Sequence, residues 1–250
     1  MRALAHPVLR EAAQVYLVEG KAWPAYLYFF LFLAAVQVLT LFLPLLDPGG
    51  WMGAAQLFKI SSVVVLLAGV YFTLRLVNQE YVPWRFATLK RWLGDGLDPD
   101  SLLGAQLALV ALWGGLFVVA ALPLMSWAAA IARAGVGTLA SVLLMIFGYF
   151  ATYGVWGLVA LNLWEVRVET RHIAVRLFLG VLFLVTALVY LPLNSVAFIL
   201  SYLGGTDLGD PVSLFGRRIA PGAVHVFFHG LLFAGGVGLS RWVLARRAGG

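Results

Sequence analysis

Six stretches of this sequence are apolar over the thickness of a bilayer: Ala22–Leu46, Gln56–Val77, Ser101–Leu122, Val136–Leu163, Ile173–Leu200 and Val224–Leu244. Each is near the ~20 residues that a membrane-spanning helix requires. The expectation is an all-α integral membrane protein, one transmembrane domain over residues 1–250, with six transmembrane helices in 22–244. Composition agrees, since 11% of the residues are charged and 62% hydrophobic, against about 25% charged in soluble domains. No domain with its own water-facing surface fits between the runs. Trp23, Trp51, Trp113, Trp127, Trp164 and Trp242 lie mostly near run ends, as interface aromatics do. Gly114, Gly115, Gly148, Gly154, Gly157, Gly235, Gly236 and Gly238 lie within runs, where small residues let helices approach closely.

The first 21 residues mix Arg2, Arg10, Glu11, Gln14, Glu19 and Lys21 with Leu4, Val8, Leu9, Val15, Tyr16 and Leu17. That is too polar to span and too apolar for a free tail, so residues 1–21 read as an interfacial helix starting near Pro7. A secretory signal would place a short apolar core there instead. The first strongly apolar run starts only at Ala22, and it is long enough to span.

Basic residues orient the runs. With a cytoplasmic N-terminus, thirteen of the seventeen fall inside or at the inner boundary; Lys59, Arg133, Arg217 and Arg218 are the remaining four. The positive-inside rule then puts both termini in the cytoplasm of a multi-pass protein of the cell inner (cytoplasmic) membrane. Loop 78–100 and the turn Trp164–His172 fall inside, and loop 201–223 falls outside. The outer connection Tyr190–Pro221 carries Pro192, Asn194, Gly204, Gly205, Asp207, Gly209, Asp210 and Pro211 around an apolar piece, Val196–Leu203. That piece either extends the fifth span or dips back as a re-entrant segment.

Asn78–Ser101 is the longest polar interruption. Within it Phe86, Leu89, Trp92 and Leu93 recur at helical spacing, with Arg85, Thr88, Lys90 and Arg91 between them. This predicts a cytoplasmic amphipathic helix, Arg85–Leu93, with Pro83 in its first turn and Gly94 at its stop. Asp98 caps the next helix, with Pro99 at its first position and Asp100 near its positive end. Such a helix either rests on headgroups or docks a cytosolic partner.

Candidate chemistry is sparse. There are no cysteines, which excludes disulfides and zinc–thiolate sites. None of the eleven acids lies in mid-span, which disfavours a proton- or sodium-coupled carrier. Lys59, near the outer end of its span, reads as snorkelling to headgroups rather than as a contact for an anionic substrate. His225 and His229 share a helical face, as a metal or haem pair would, but no acid stands near them. They read as packing or hydrogen-bonding groups. Gln37, Tyr71, Gln106, Tyr149, Thr152, Tyr153, Asn162 and Thr186 are candidates for a path; Gln37, Tyr149, Thr152 and Asn162 are the foremost, though interhelical hydrogen bonds account for most of them equally well. A phosphate-binding GxxxxGK[ST] loop is missing, as are a nucleophile elbow and HExxH, so the chain carries no ATPase or hydrolase constellation of its own.

With these pieces placed, the chain resembles the permease subunit of type-2 ABC transporters, an exporter-like family. Ala5-His6-Pro7-Val8-Leu9-Arg10-Glu11 is similar to the family's opening interfacial helix. Glu80, Thr88-Leu89 and Asp98-Pro99 followed by Leu102-Leu103-Gly104 resemble its approach to the third span, and Ala120-Ala121-Leu122-Pro123-Leu124 resembles that span's end. The spacing from Glu80 to Thr88 is longer than the family pattern, and Ala87 stands where a glycine is expected. The resemblance implies an export permease that works as a homodimer with a cytosolic ATPase subunit. ATP and magnesium would belong to that partner, with no cofactor in this chain and no nucleic acid. Arg85–Leu93 would be the main coupling helix, through Arg85, Phe86, Leu89, Arg91, Trp92 and Leu93. The turn with Glu165 and Arg167 would be the smaller contact. The alternative is a non-transporting anchor or assembly subunit of a redox or other membrane complex; an intramembrane enzyme is disfavoured.

Overall fold

The computed structural model describes residues 6–14, 18–19, 23–46, 53–75, 92–163, 177–178, 180–186, 194–204, 211–214 and 216–248. Seven helices come from these residues: α1 (Pro7–Ala13), α2 (Trp23–Leu46), α3 (Ala54–Arg75), α4 (Pro99–Ile131), α5 (Val136–Leu163), α6 (Ser195–Gly204) and α7 (Pro221–Ala248). Helices α3, α4, α5 and α7 each hold a stretch long and apolar enough to cross a membrane. Large apolar side chains stand exposed along the helices, among them Leu27, Phe30 and Leu39 on α2 and Val226, Phe227 and Leu231 on α7. A water-soluble surface does not carry so much apolar area. The chain is a helical, multi-pass membrane protein.

Helix α5 is the hub, packing on α3, α4, α6 and α7. Its apolar window is 67% buried, against 22% for α7, which lies at the bundle's edge. Hydrocarbon gives helices no hydrophobic reason to associate, so contact depends on close packing. An aromatic cluster supplies much of it: Phe29 of α2, Phe72 of α3, Phe117 of α4 and Phe150 of α5 interlock, with Phe29 and Phe117 centroids 4.6 Å apart and Phe117 and Phe150 5.6 Å apart. Small residues admit the rest. A Cβ on Gly236 would meet Val155 at 2.7 Å, and one on Gly154 would meet Val110 at 2.7 Å. Gly115, Gly148, Gly235 and Gly238 have open space around them, so they are not the close-packing positions that their place in the runs suggests.

Two apolar runs differ from expectation, and one connection gains secondary structure. Helix α4 does not stop at Leu122 but runs through Pro123 to Ile131. Proline removes one backbone donor, and a long apolar helix absorbs that loss at an exposed position. It ends instead where Ala134 N–H donates to Ala129 and Arg133 N–H to Ala130, with Arg133 at φ 54. This is the six-to-one and five-to-two bonding of a left-handed cap. The fifth apolar run is not one helix among its described residues. Asn194 starts a new one: its side-chain oxygen accepts from Ala197 N–H at 2.8 Å and its carbonyl from Phe198 N–H at 2.9 Å. So 196–203 does not extend the fifth span. It belongs to α6, ten residues long, about 15 Å, seated against α3 and α5 with Ser195 and Ile199 fully buried. Finally, the connection 201–223 holds β1 (Val212–Leu214) and β2 (Arg217–Ile219), antiparallel, with Ser213 opposite Arg218 and Gly216 at φ 76 in the turn.

Chain direction sorts the connections onto two ends. One end gathers α1, the start of α4 and the ends of α5 and α7, tied by bonds from His6 to Ser101, Arg241 to Asp100 and Arg247 to Leu163. The Ile131–Val136 turn, the start of α6 and the start of α7 occupy the other.

Candidate functional site

The end that carries α1 is built around a second apolar cluster. Val8 of α1, Leu102, Leu103 and Ala105 of α4 and Leu244 of α7 are buried together, with Trp92, Leu93 and Leu97 packed on them. Local chemistry sets this up. Residues 92–94 are helical, and Leu97 N–H donates to Trp92 at 2.9 Å while Gly96 N–H donates to Leu93 at 3.2 Å. Gly96, at φ 79, is therefore the helix-ending glycine, two residues beyond the Gly94 that spacing suggests. Trp92 and Leu97, joined by that backbone bond, both pack on the cluster. Asp98 then caps α4 as expected, its carboxylate accepting from Ser101 N–H at 3.0 Å, with Pro99 at the first position. His6 Nε2 lies 2.8 Å from Ser101 Oγ and fastens α1 to the same turn.

Of the proposed coupling residues, Trp92 and Leu93 are thus half-buried against the chain's own helices. Arg85, Phe86, Leu89, Arg91, Glu165 and Arg167 lie outside the described residues.

The second assembly lies between α5 and α7, towards the start of α7. Gly236 lets α7 touch Val155, and Trp156 Nε1 donates to the Leu232 carbonyl at 3.0 Å, closing the two helices there. Towards the start of α7 the rings of Tyr149, His225 and His229 stand between the helices. The result is a cleft of about 420 Å³ lined by Met145, Tyr149 and Thr152 of α5, His225, His229 and Phe233 of α7, and Phe198 of α6, with Gly148, Ala151, Val226 and Gly230 completing it. Tyr149 Oη lies 2.6 Å from His225 Nε2. The two imidazole centroids are 4.4 Å apart, and Phe198 stacks on His225 at 4.1 Å, nearly parallel. Tyr149 meets His229 edge-on at 5.0 Å.

The foremost path residues divide. Tyr149 and Thr152 share the cleft wall, though the Thr152 hydroxyl donates back to Gly148. Asn162 is fully buried near the other end of α5, and Gln37 is half-buried on α2; neither lines the cleft. Tyr71 is 64% exposed and lines a groove between α2 and α3, whereas Gln106 is buried. Tyr153 and Thr186 bond to each other at 2.7 Å, an interhelical tie rather than a lining. His225 and His229 do the hydrogen bonding and packing expected of them, but they do it on a cavity wall; their four-residue spacing was the signal. Phe198 was not legible as a site residue, because its role depends on where α6 is seated. No group of three metal-ligating side chains occurs among the described residues.

Fold and site together define a multi-pass helical membrane protein with a cavity between two helices. The chain matches no protein family, no curated protein and no solved structure.

Proposed function

We propose that the chain is the membrane-spanning permease subunit of an ATP-driven export system, coupled to a separate cytosolic ATPase and paired with a second copy of itself. It crosses the cytoplasmic membrane six times with both termini inside. ATP and magnesium act on the partner subunit.

The observation that favours this reading is the apolar cluster on which Trp92, Leu93 and Leu97 pack. A partner that grips Phe86 and Leu89 pulls on Trp92 and Leu97, and these pack directly on α1, α4 and α7. Movement transmitted to Trp92 by a docked ATPase would reach three helices at once. That arrangement suits a coupling element and is superfluous in a loop resting on headgroups. It also reassigns roles within the stretch: Phe86 and Leu89 are the contacts offered to the partner, and Trp92 and Leu93 are the anchor to the bundle.

The test co-expresses the chain with a candidate ATP-binding-cassette ATPase subunit. Leu89→Asp abolishes its co-purification and stimulated ATP turnover while the protein stays membrane-inserted. A Leu89→Asp protein with wild-type turnover overturns the coupling role, and native mass spectrometry showing one permease copy per assembly overturns the dimer. Single cysteines at Ser213 and Ser101 label from outside and inside respectively; the reverse pattern overturns the orientation.

A further inference from the structure

We propose that the β1–β2 hairpin is a membrane-surface anchor, and that Arg217 and Arg218 bind the phosphates of anionic phospholipid headgroups. Charge is the first observation. The described acids are Glu11 in α1, Glu19 between α1 and α2, and Asp95, Asp98 and Asp100 around the start of α4. All belong to the α1 end of the bundle. Towards the other end the described charged residues are Lys59, Arg133, Arg217 and Arg218, and every one is basic. Arg217 and Arg218 are exposed, and no acid among the described residues pairs with either. Two adjacent cations with free guanidinium groups fit an anionic partner.

Depth selects the lipid. Ala220 joins β2 directly to α7: its carbonyl accepts from the Ala223 and Val224 N–H groups, and Pro221 behind it is buried. Val226 and Phe227 are the first large apolar side chains exposed on α7. They lie about 8–9 Å along the helix axis from Pro221, and a headgroup layer is roughly 5–8 Å deep. With those two side chains at the edge of the hydrocarbon, the hairpin stands at the level of the lipid phosphates. Strand pairing then divides it. Positions 212, 214, 217 and 219 share one face, and 213 and 218 share the other. The first set is Val, Leu and Ile with one arginine; the second is Ser with the other arginine. A lone two-stranded hairpin is marginal in water, and a face of this composition suits the boundary between headgroups and acyl chains. An arginine stem lies in the apolar layer while its head reaches phosphate, in bidentate, charge-assisted bonds. Choline offsets the phosphate charge in phosphatidylcholine, so the attraction is for anionic lipids, about fivefold per arginine near such a surface.

The test follows amide hydrogen exchange of the hairpin in the purified full chain. Nanodiscs of phosphatidylcholine alone are compared with nanodiscs of phosphatidylcholine mixed with phosphatidylglycerol. Both faces of a disc carry the same lipid, so the result depends neither on the chain's orientation nor on an ATPase partner. The hairpin amides exchange at least about fivefold more slowly in the mixed discs, and high salt removes the difference. Arg217→Gln with Arg218→Gln also removes it. Equal exchange of the unmodified chain in the two discs overturns the proposal, and is the result if Asp207 and Asp210, which precede the hairpin in sequence, neutralise the arginines. Slowing that survives the glutamine pair overturns it as well. Equal slowing in phosphatidylcholine discs on adding soluble glycerol 3-phosphate overturns the lipid as the source of the phosphate.

Discussion

Arg241, near the end of α7, grips Asp100 in the first turn of α4 with both Nε and Nη2, each 2.7 Å from a carboxylate oxygen. The pair bridges helices that meet end to end at the α1 side of the bundle, and both side chains are more than half exposed. The geometry is that of a strong bidentate pair, but solvent and salt screen it. Arg241→Ala is expected to lower the thermal midpoint only slightly at low salt and not measurably at high salt. A double cycle with Asp100→Asn, followed by unfolding in detergent at two salt concentrations, checks this. A large loss that persists in high salt would show that the pair is shielded.

The cap at Gly96 carries a firmer expectation. At φ 79 a side chain is strained whatever the surrounding space, and the space here is open. Gly96→Ala should destabilise the end cluster by about 1 kcal/mol. Limited proteolysis between α1 and α4 should accelerate in this variant more than in Gly94→Ala, which sits inside the helical turn. Equal rates would move the cap back to Gly94.

Arg133 offers the opposite change. It occupies the left-handed cap position of α4 at φ 54, where glycine is the usual residue. Arg133→Gly should stabilise by about 0.5–1 kcal/mol, read as a higher unfolding midpoint in mixed micelles. A fall in midpoint would mean that the arginine side chain makes a contact worth more than the strain.

How far the sequence could be read depended on whether a feature was local. The start of α4 was legible because Asp98, Pro99 and the apolar run behind them are a complete local instruction. The start of α5 was legible for a similar reason: Gly135 precedes a continuous apolar run. The end of α4 was not, because proline alone reads as a stop, and only the turn chemistry at Ala132–Gly135 shows where the helix gives out. The division at Asn194 is carried by one side-chain hydrogen bond inside an apolar stretch, which hydropathy does not register. The cleft was half legible. Tyr149, Thr152 and the histidine spacing could be picked out, but their convergence depends on α5 and α7 crossing at Gly236.

Tyr149 and His225 test that convergence. Tyr149→Phe keeps the ring beside His229 and deletes the hydroxyl 2.6 Å from His225 Nε2. Interhelical hydrogen bonds in membranes are worth about 0.6–2 kcal/mol, so a loss of that size is expected, with helix content unchanged. His225→Phe in the Tyr149→Phe background should add less than it does alone, since the shared bond is already gone. Strict additivity of the two would mean that the residues do not bond.

The crossing itself gives the sharpest contrast. Gly236 and Gly238 are two residues apart on α7, in equally apolar sequence, and hydropathy treats them alike. The fold does not. A Cβ at 236 meets Val155 at 2.7 Å and Trp156 Nε1 at 3.3 Å, whereas one at 238 meets nothing within 4 Å. Gly236→Ala must therefore push α7 off α5, stretching the bond from Trp156 to the Leu232 carbonyl, and overpacking of this kind costs about 1–3 kcal/mol. Gly238→Ala adds a methyl group in open space and removes a flexible residue from a helix, which gains about 0.5–1 kcal/mol. Unfolding midpoints in mixed micelles should move in opposite directions, and Trp156 fluorescence should change only in the 236 variant. If the two alanines shift the midpoint alike, α7 does not cross α5 at Gly236.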